Sequence, residues 1–149
     1  MEEQKMVTNF IVEKLSKLYP KEKIIPSNTY TRQAGNLVHL CADFEFLIKD
    51  VSLLSLINSL HPTPAVSGVP VKKSMSFINH NETHDRKFYA GFLGPIYKKN
   101  AHLFVNLRCG KITHYNITLY VGGGITANSN SELEWEESER KAETLLNVI

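Results

Sequence analysis

The stretch LHPTPAVSG, residues 60–68, constrains the fold more than any other part of this 149-residue chain. Proline fixes its own φ, removes a backbone donor and pushes the residue before it toward extended geometry. His61 and Thr63 are therefore held out of helix, and the apolar run VSLLSLINSL must stop beside them. A rigid extended segment headed by an imidazole serves as a plain helix stop. It would serve equally as the wall of a binding site, and the pattern alone leaves both open.

Around this stop the chain reads as an α+β protein. Residues 2–18 place Met6, Val7, Phe10, Ile11, Leu15 and Leu18 at helical spacing, and Pro20 ends the run. A turn-rich connector with Pro26, Ser27 and Asn28 follows. NLVHLCADFEFLI alternates Val38, Leu40, Ala42, Phe44 and Phe46, which predicts one long strand. Asp50 is the expected N-cap of the next helix, and a further helix is expected from Pro70 to about Ile78. KFYAGFLGPI, AHLFVNLRCG and NITLYVGGGI predict an antiparallel meander. A closing helix, about Glu132 to Val148, is expected behind the capping box Ser131-x-x-Glu134, with an apolar seam of Trp135, Ala142, Leu145 and Ile149. No repeat or low-complexity tract divides the chain, so residues 1–149 read as one domain of antiparallel sheet with packed helices.

Composition removes several classes of function. The formal net charge is +2 and no Lys/Arg block forms a stripe that could track phosphates, so no nucleic-acid partner is expected. No apolar run reaches the length of a membrane span, and MEEQKM lacks a signal peptide's apolar core. Cys41 and Cys109 are too few for a disulfide framework and lack metal spacing. The expectation is a cytoplasmic protein, in which the Asn81 and Asn116 sequons carry no weight.

Some polar positions stand out. Glu134, Glu137 and Lys141, spaced i, i+3, i+7, share one face of the closing helix. Such a face is ordinarily solvated, yet carboxylates there could also ligate Mg²⁺, which takes one or two protein carboxylates plus substrate oxygens and water. Arg108 is read as a strand residue facing away from Leu103, Val105 and Leu107, either an exposed arginine or a fork for a carboxylate. VGGGI, residues 121–125, lacks the Gly-Lys-Ser/Thr of a phosphate loop, but its glycines permit close approach of a ligand or another strand. His61 is either a structural histidine or a reacting one.

LHPTPAVSG, ETHDRKFYAGFLG, VNLRCGKI, LYVGGGITANS and ELEWEESERKAETLL, in that order, resemble the chorismate-utilising enzymes, and most closely the isochorismate synthases. The resemblance runs from Glu3 to the C-terminus. It implies the C-terminal half of the chorismate-binding, aminodeoxychorismate synthase-like fold, with the family's water-activating lysine and general-acid glutamate lying upstream. A truncated gene product or cloned fragment, inactive alone, is therefore the expectation, and a dimer through surface normally covered by the other half would follow.

The resemblance also implies roles. Glu3 matches a magnesium-binding glutamate, although Gln4 stands where the family has histidine. Glu137 matches the second magnesium glutamate, with Ser138 replacing a threonine, and Glu134 is the motif's first acid. Lys141 matches the lysine that closes this end of the site. Arg108 matches the arginine that holds the pyruvyl carboxylate, with Tyr89 as helper, and Gly122 and Gly123 match backbone positions near a substrate carboxylate. His61 would face the ring, with Thr63 and Ala65 on the same wall. The implied reaction converts chorismate to isochorismate, with water adding at C2 and the C4 hydroxyl leaving, in menaquinone or siderophore biosynthesis. Salicylate, anthranilate or aminodeoxychorismate synthase homologues, or a non-catalytic interaction domain, are the competing readings.

Overall fold

A computed structural model describes residues 2–34, 37–98 and 100–148. Helices and short antiparallel strand pairs are both present, and the chain forms two compact units that divide between Asn81 and Glu82.

The first unit opens with α1, Glu2–Leu18, whose apolar positions recur at the predicted spacing. Leu15 is buried with Tyr19 and Leu56, and Ile11, Leu18, Ile24, Phe44, Phe46, Val51 and Leu60 pack around them. Burying a leucine of this kind contributes on the order of 2 kcal/mol. Strands β1, Tyr30–Ala34, and β2, Leu37–Cys41, form an antiparallel pair with Tyr30 opposite Cys41. The long strand expected through residue 48 therefore ends early, and β1 lies where only a connector was expected. Asp43 gives the physical reason: its backbone N–H and C=O bond Ser27 (2.9 and 2.8 Å), and its carboxylate accepts from the Tyr30 hydroxyl at 3.2 Å. Past Cys41 the backbone is thus tied to the loop, and only an isolated bridge, Pro26 to Phe44, continues the pairing.

Helix α2, Leu53–Leu60, is capped by Ser52, whose side chain accepts the Ser55 N–H at 3.1 Å. Asp50 is not the cap; it turns the chain at φ +56°, a conformation aspartate tolerates better than most residues. The helix stops at His61 as expected. Helix α3, Pro64–Ser67, is a single turn with Pro64 in its first position, so the segment after Thr63 is not extended throughout. Gly68 sits at φ +75°, and a Cβ there would lie 2.9 Å from the Ser74 Cβ. That close approach lets α3 lie against α4, Val71–Asn81.

The second unit holds β3, Phe92–Leu93, paired with β4, Phe104–Val105, and β5, Cys109–Ile112, paired with β6, Ile117–Tyr120. These are separate two-stranded ribbons rather than one meander. Helix α5, Ser131–Leu146, packs on β6. Its cap is Asn130, one residue before the predicted box, with its side chain accepting the Glu132 and Leu133 N–H groups at 3.0 and 3.2 Å. None of the described residues of this unit is fully buried.

Candidate functional site

The loop after β6 brings most of the second unit's candidates together. Lys141 donates to the Gly122 carbonyl at 3.1 Å and pairs with Glu137 at 2.6 Å. One turn earlier on α5, Glu134 accepts the Ser129 hydroxyl at 2.6 Å. A Cβ built on Gly123 would lie 3.4 Å from Glu134 Oε2 and 3.8 Å from Lys141 Nζ, so this backbone passes close to both the acid and the base. A Cβ on Gly122 would sit 2.7 Å from the Tyr89 hydroxyl. The adjacent glycines thus admit a phenol at one peptide and a helix face at the next, the close approach expected of this run.

The half-buried residues of α5 are Glu134, Ser138, Lys141, Ala142, Thr144 and Leu145, so what the helix covers is partly polar. The expected apolar seam is only partly present. Trp135 is 67% exposed, Ala142 and Leu145 are half-buried, and Ile149 lies outside the described residues. Ser129 and the Gly122 carbonyl explain the shift, since each satisfies a polar group that the helix turns inward. Glu137 and Lys141 pair at i, i+4 on the helix face that the spacing picked out, with Lys141 the better shielded partner (Lys141 17% and Glu137 49% exposed).

Tyr89 approaches from the turn before β3. Its ring stacks on Tyr120 at 5.7 Å, and the Arg86 guanidinium lies over it at 5.6 Å. Burial pushes the Tyr89 phenol above its ordinary range, so it stays protonated and able to donate at neutral pH. Arg108 is not in a strand: it turns the chain at φ +50° between β4 and β5, next to Cys109, which pairs with Tyr120. Val105 and Leu107, 39% and 48% exposed, do not form the buried face that the alternation suggested. The Leu107 N–H bonds back to the Val105 carbonyl at 3.0 Å, which tightens the chain where strand geometry was expected. The sequence reading also missed Ser129, Glu82 and Arg86. The spacing of Glu82 and Arg86 was visible, but it carried no helical signal because both lie beyond the end of α4.

In the first unit, Glu3 is exposed on α1, and Ala65 is exposed on α3 rather than on an extended wall. His61 and Thr63 are half-buried and extended, at φ −106° and −75°. Burial pushes the His61 imidazole below its ordinary value of 6.5. A depressed folded value means that the unfolded chain binds more protons, so stability is complete above about pH 6.5 and declines as pH falls through the lower folded value. The urea midpoint should therefore drop between pH 7.5 and 5.5, and His61→Asn should flatten that dependence. An unchanged slope in the variant would show that His61 is not the titrating group.

Among the described residues no group of three or more His, Cys, Asp or Glu gathers to hold a metal. Glu134 and Glu137 nevertheless form an all-oxygen pair one turn apart, each bonded through Oε1 in the contacts above. That donor set fits Mg²⁺, which completes its shell with water and substrate oxygens. No helix of the described residues is long and apolar enough to cross a membrane.

Comparison with known proteins identifies the family of the chain. The family model described as chorismate binding enzyme matches residues 1–149. The isochorismate synthase EntC of Escherichia coli is 32% identical over 99% of this chain and 38% of its own length. The isochorismate synthase MenF of Haemophilus influenzae is 35% identical over 64% of this chain and 22% of its own. The chloroplastic isochorismate synthase of Catharanthus roseus is 32% identical over 79% and 21%. The chain thus spans well under half the length of these relatives. With a match along its whole length, the chain belongs to the chorismate-binding enzyme family.

Proposed function

We propose that this chain is the substrate-positioning part of a cytoplasmic isochorismate synthase, acting on chorismate in menaquinone or siderophore biosynthesis. The observation that carries the reading is the convergence of Tyr89, Glu134 and Lys141 on the Gly122–Gly123 backbone, in a chain whose relatives are isochorismate synthases.

The chemistry of these groups suits a small dicarboxylate. Lys141 has three N–H donors; Glu137 and the Gly122 carbonyl take two, and the third can serve a ligand carboxylate. The Tyr89 hydroxyl adds a neutral donor beside the same glycine. Arg108 supplies a planar fork for the enolpyruvyl carboxylate. Glu134 and Glu137 would hold Mg²⁺, whose chemistry when bound is to neutralise the ring carboxylate as a Lewis acid. The proposed roles of Glu3 as a further magnesium ligand, and of His61, Thr63 and Ala65 as ring-facing groups, rest on the family resemblance. Loss of hydroxide from C4 needs a general acid opposite a general base, and the proposal places that pair outside this chain.

Incubation with chorismate and Mg²⁺, followed by NMR, tests the division of labour. Binding without product is expected. Isochorismate formed by the 149-residue chain alone would mean that it carries its own acid and base, and salicylate or an aminated product would move it to another branch of the family.

A further inference from the structure

The turn carrying Tyr89 is held more tightly than an exposed connector requires. Lys87 and Ala90, on either side of it, adopt left-handed backbone at φ +47° and +61°, which is costly for residues with side chains. Such strain persists only where the surroundings over-determine it. Here the Ala90 N–H donates to the Asn106 carbonyl at 2.9 Å, Asn106 Nδ2 donates to the Phe88 carbonyl at 2.9 Å, and the Asn106 N–H donates to the Gly91 carbonyl at 2.8 Å. The Tyr89 N–H donates to the Arg86 carbonyl at 2.7 Å.

The side chains repeat this clamping. Arg86 meets Glu82 through two parallel bonds, Nε to Oε2 at 2.7 Å and Nη2 to Oε1 at 2.5 Å, and both side chains are largely shielded (23% and 29% exposed). The guanidinium so fixed lies over the Tyr89 ring, with Cζ 5.6 Å from its centroid, while Tyr120 stacks on the same ring. A fork held by a carboxylate is pre-organised and costs little further entropy to stack. The hydrogen bond to Arg86 also holds the Glu82 carboxyl below its usual range, so the pair stays ionised well into mild acid.

We propose that the Glu82–Arg86 pair is the positioning device for Tyr89: it fixes the phenol over Gly122, so that a neutral donor and the Lys141 ammonium border the same peptide and together recognise a ligand carboxylate. The carboxylate part of this inference rests on the chorismate reading above. Arg86 acts through Tyr89 and not by touching the ligand.

The test is a double-mutant cycle on the full chain with chorismate and Mg²⁺, read by calorimetry, together with the tyrosine ring resonances of labelled protein. The Tyr89 signal is assigned as the one missing from Tyr89→Phe. Tyr89→Phe and Arg86→Ala should each weaken binding on the order of fivefold, about one hydrogen bond's worth, and the double variant should be no weaker than either. Arg86→Lys should stay impaired, because an ammonium cannot fork onto Glu82 and so is not held in place over the ring. The Tyr89 resonance should move toward an unstacked value in Arg86→Ala, while that of exposed Tyr115 should not. Additive losses, or an unmoved Tyr89 signal, would overturn the proposal. If the unaltered chain binds no chorismate, the functional reading fails, and the resonance alone still decides whether Arg86 positions Tyr89.

Discussion

Lys141→Ala is expected to weaken chorismate binding on the order of tenfold or more, with little loss of fold stability. The two halves of that expectation have different physical sources. Lys141 ties α5 to the loop after β6 through the Gly122 carbonyl and pairs with Glu137. Glu137 is half exposed, so water replaces most of what the pair contributes, and an exposed ion pair contributes less than about 1 kcal/mol. A ligand carboxylate held against the same ammonium would be shielded from water, where removing one partner of a charge-assisted bond costs about 2 kcal/mol or more. Calorimetry and urea unfolding of the same variant separate the two. Unchanged affinity would remove Lys141 from the site, whereas a large loss of stability would make it a structural tie.

Gly94→Ala carries the largest expected effect on stability. Gly94 lies at φ +152°, and a Cβ there would overlap the His102 carbonyl oxygen, a backbone atom that cannot swing aside. The pairing of β3 with β4 ends at Leu93 and Phe104, immediately beside this contact. Strain at such a position and overpacking each cost about 1–3 kcal/mol. A loss of about 3 kcal/mol is therefore expected in urea unfolding. Gly110→Ala is the control, because its Cβ would meet the end of the Leu119 side chain at 3.2 Å, and a methyl can move. Equal effects at the two positions would contradict the account of this ribbon.

What the sequence revealed depended on how local each signal was. Helices α1, α2, α4 and α5 were legible because apolar periodicity, prolines and caps act within one or two turns, even where the cap fell one or two residues away, at Ser52 and Asn130. The strands were less so. Alternation from Val38 to Phe46 suggested one strand, but Asp43 spends its hydrogen bonds on Ser27 and Tyr30, a contact between distant residues that no window contains. At Arg108 a left-handed turn replaced the expected strand, beside the tight Leu107 to Val105 bond. In the candidate site, the spacing of Glu134, Glu137 and Lys141 on one helix face was readable directly. The approach of Tyr89 to Gly122 was not, since it depends on the fold of residues 82–91 around Asn106, and the sequence offered only the glycines that make room for it. The His61–Pro62 stop was read correctly as a break in helix, but Pro64 then starts α3, because proline suits a first helical turn as well as an extended run.

The central claim is that chorismate binds here through magnesium held by α5. Calorimetric titration of chorismate into this chain and into Glu137→Ala, each with and without Mg²⁺, tests it most directly. The account predicts binding by the unaltered chain that requires Mg²⁺ and is lost in Glu137→Ala. Binding that ignores both the metal and the substitution, or no binding from a folded sample, would contradict it.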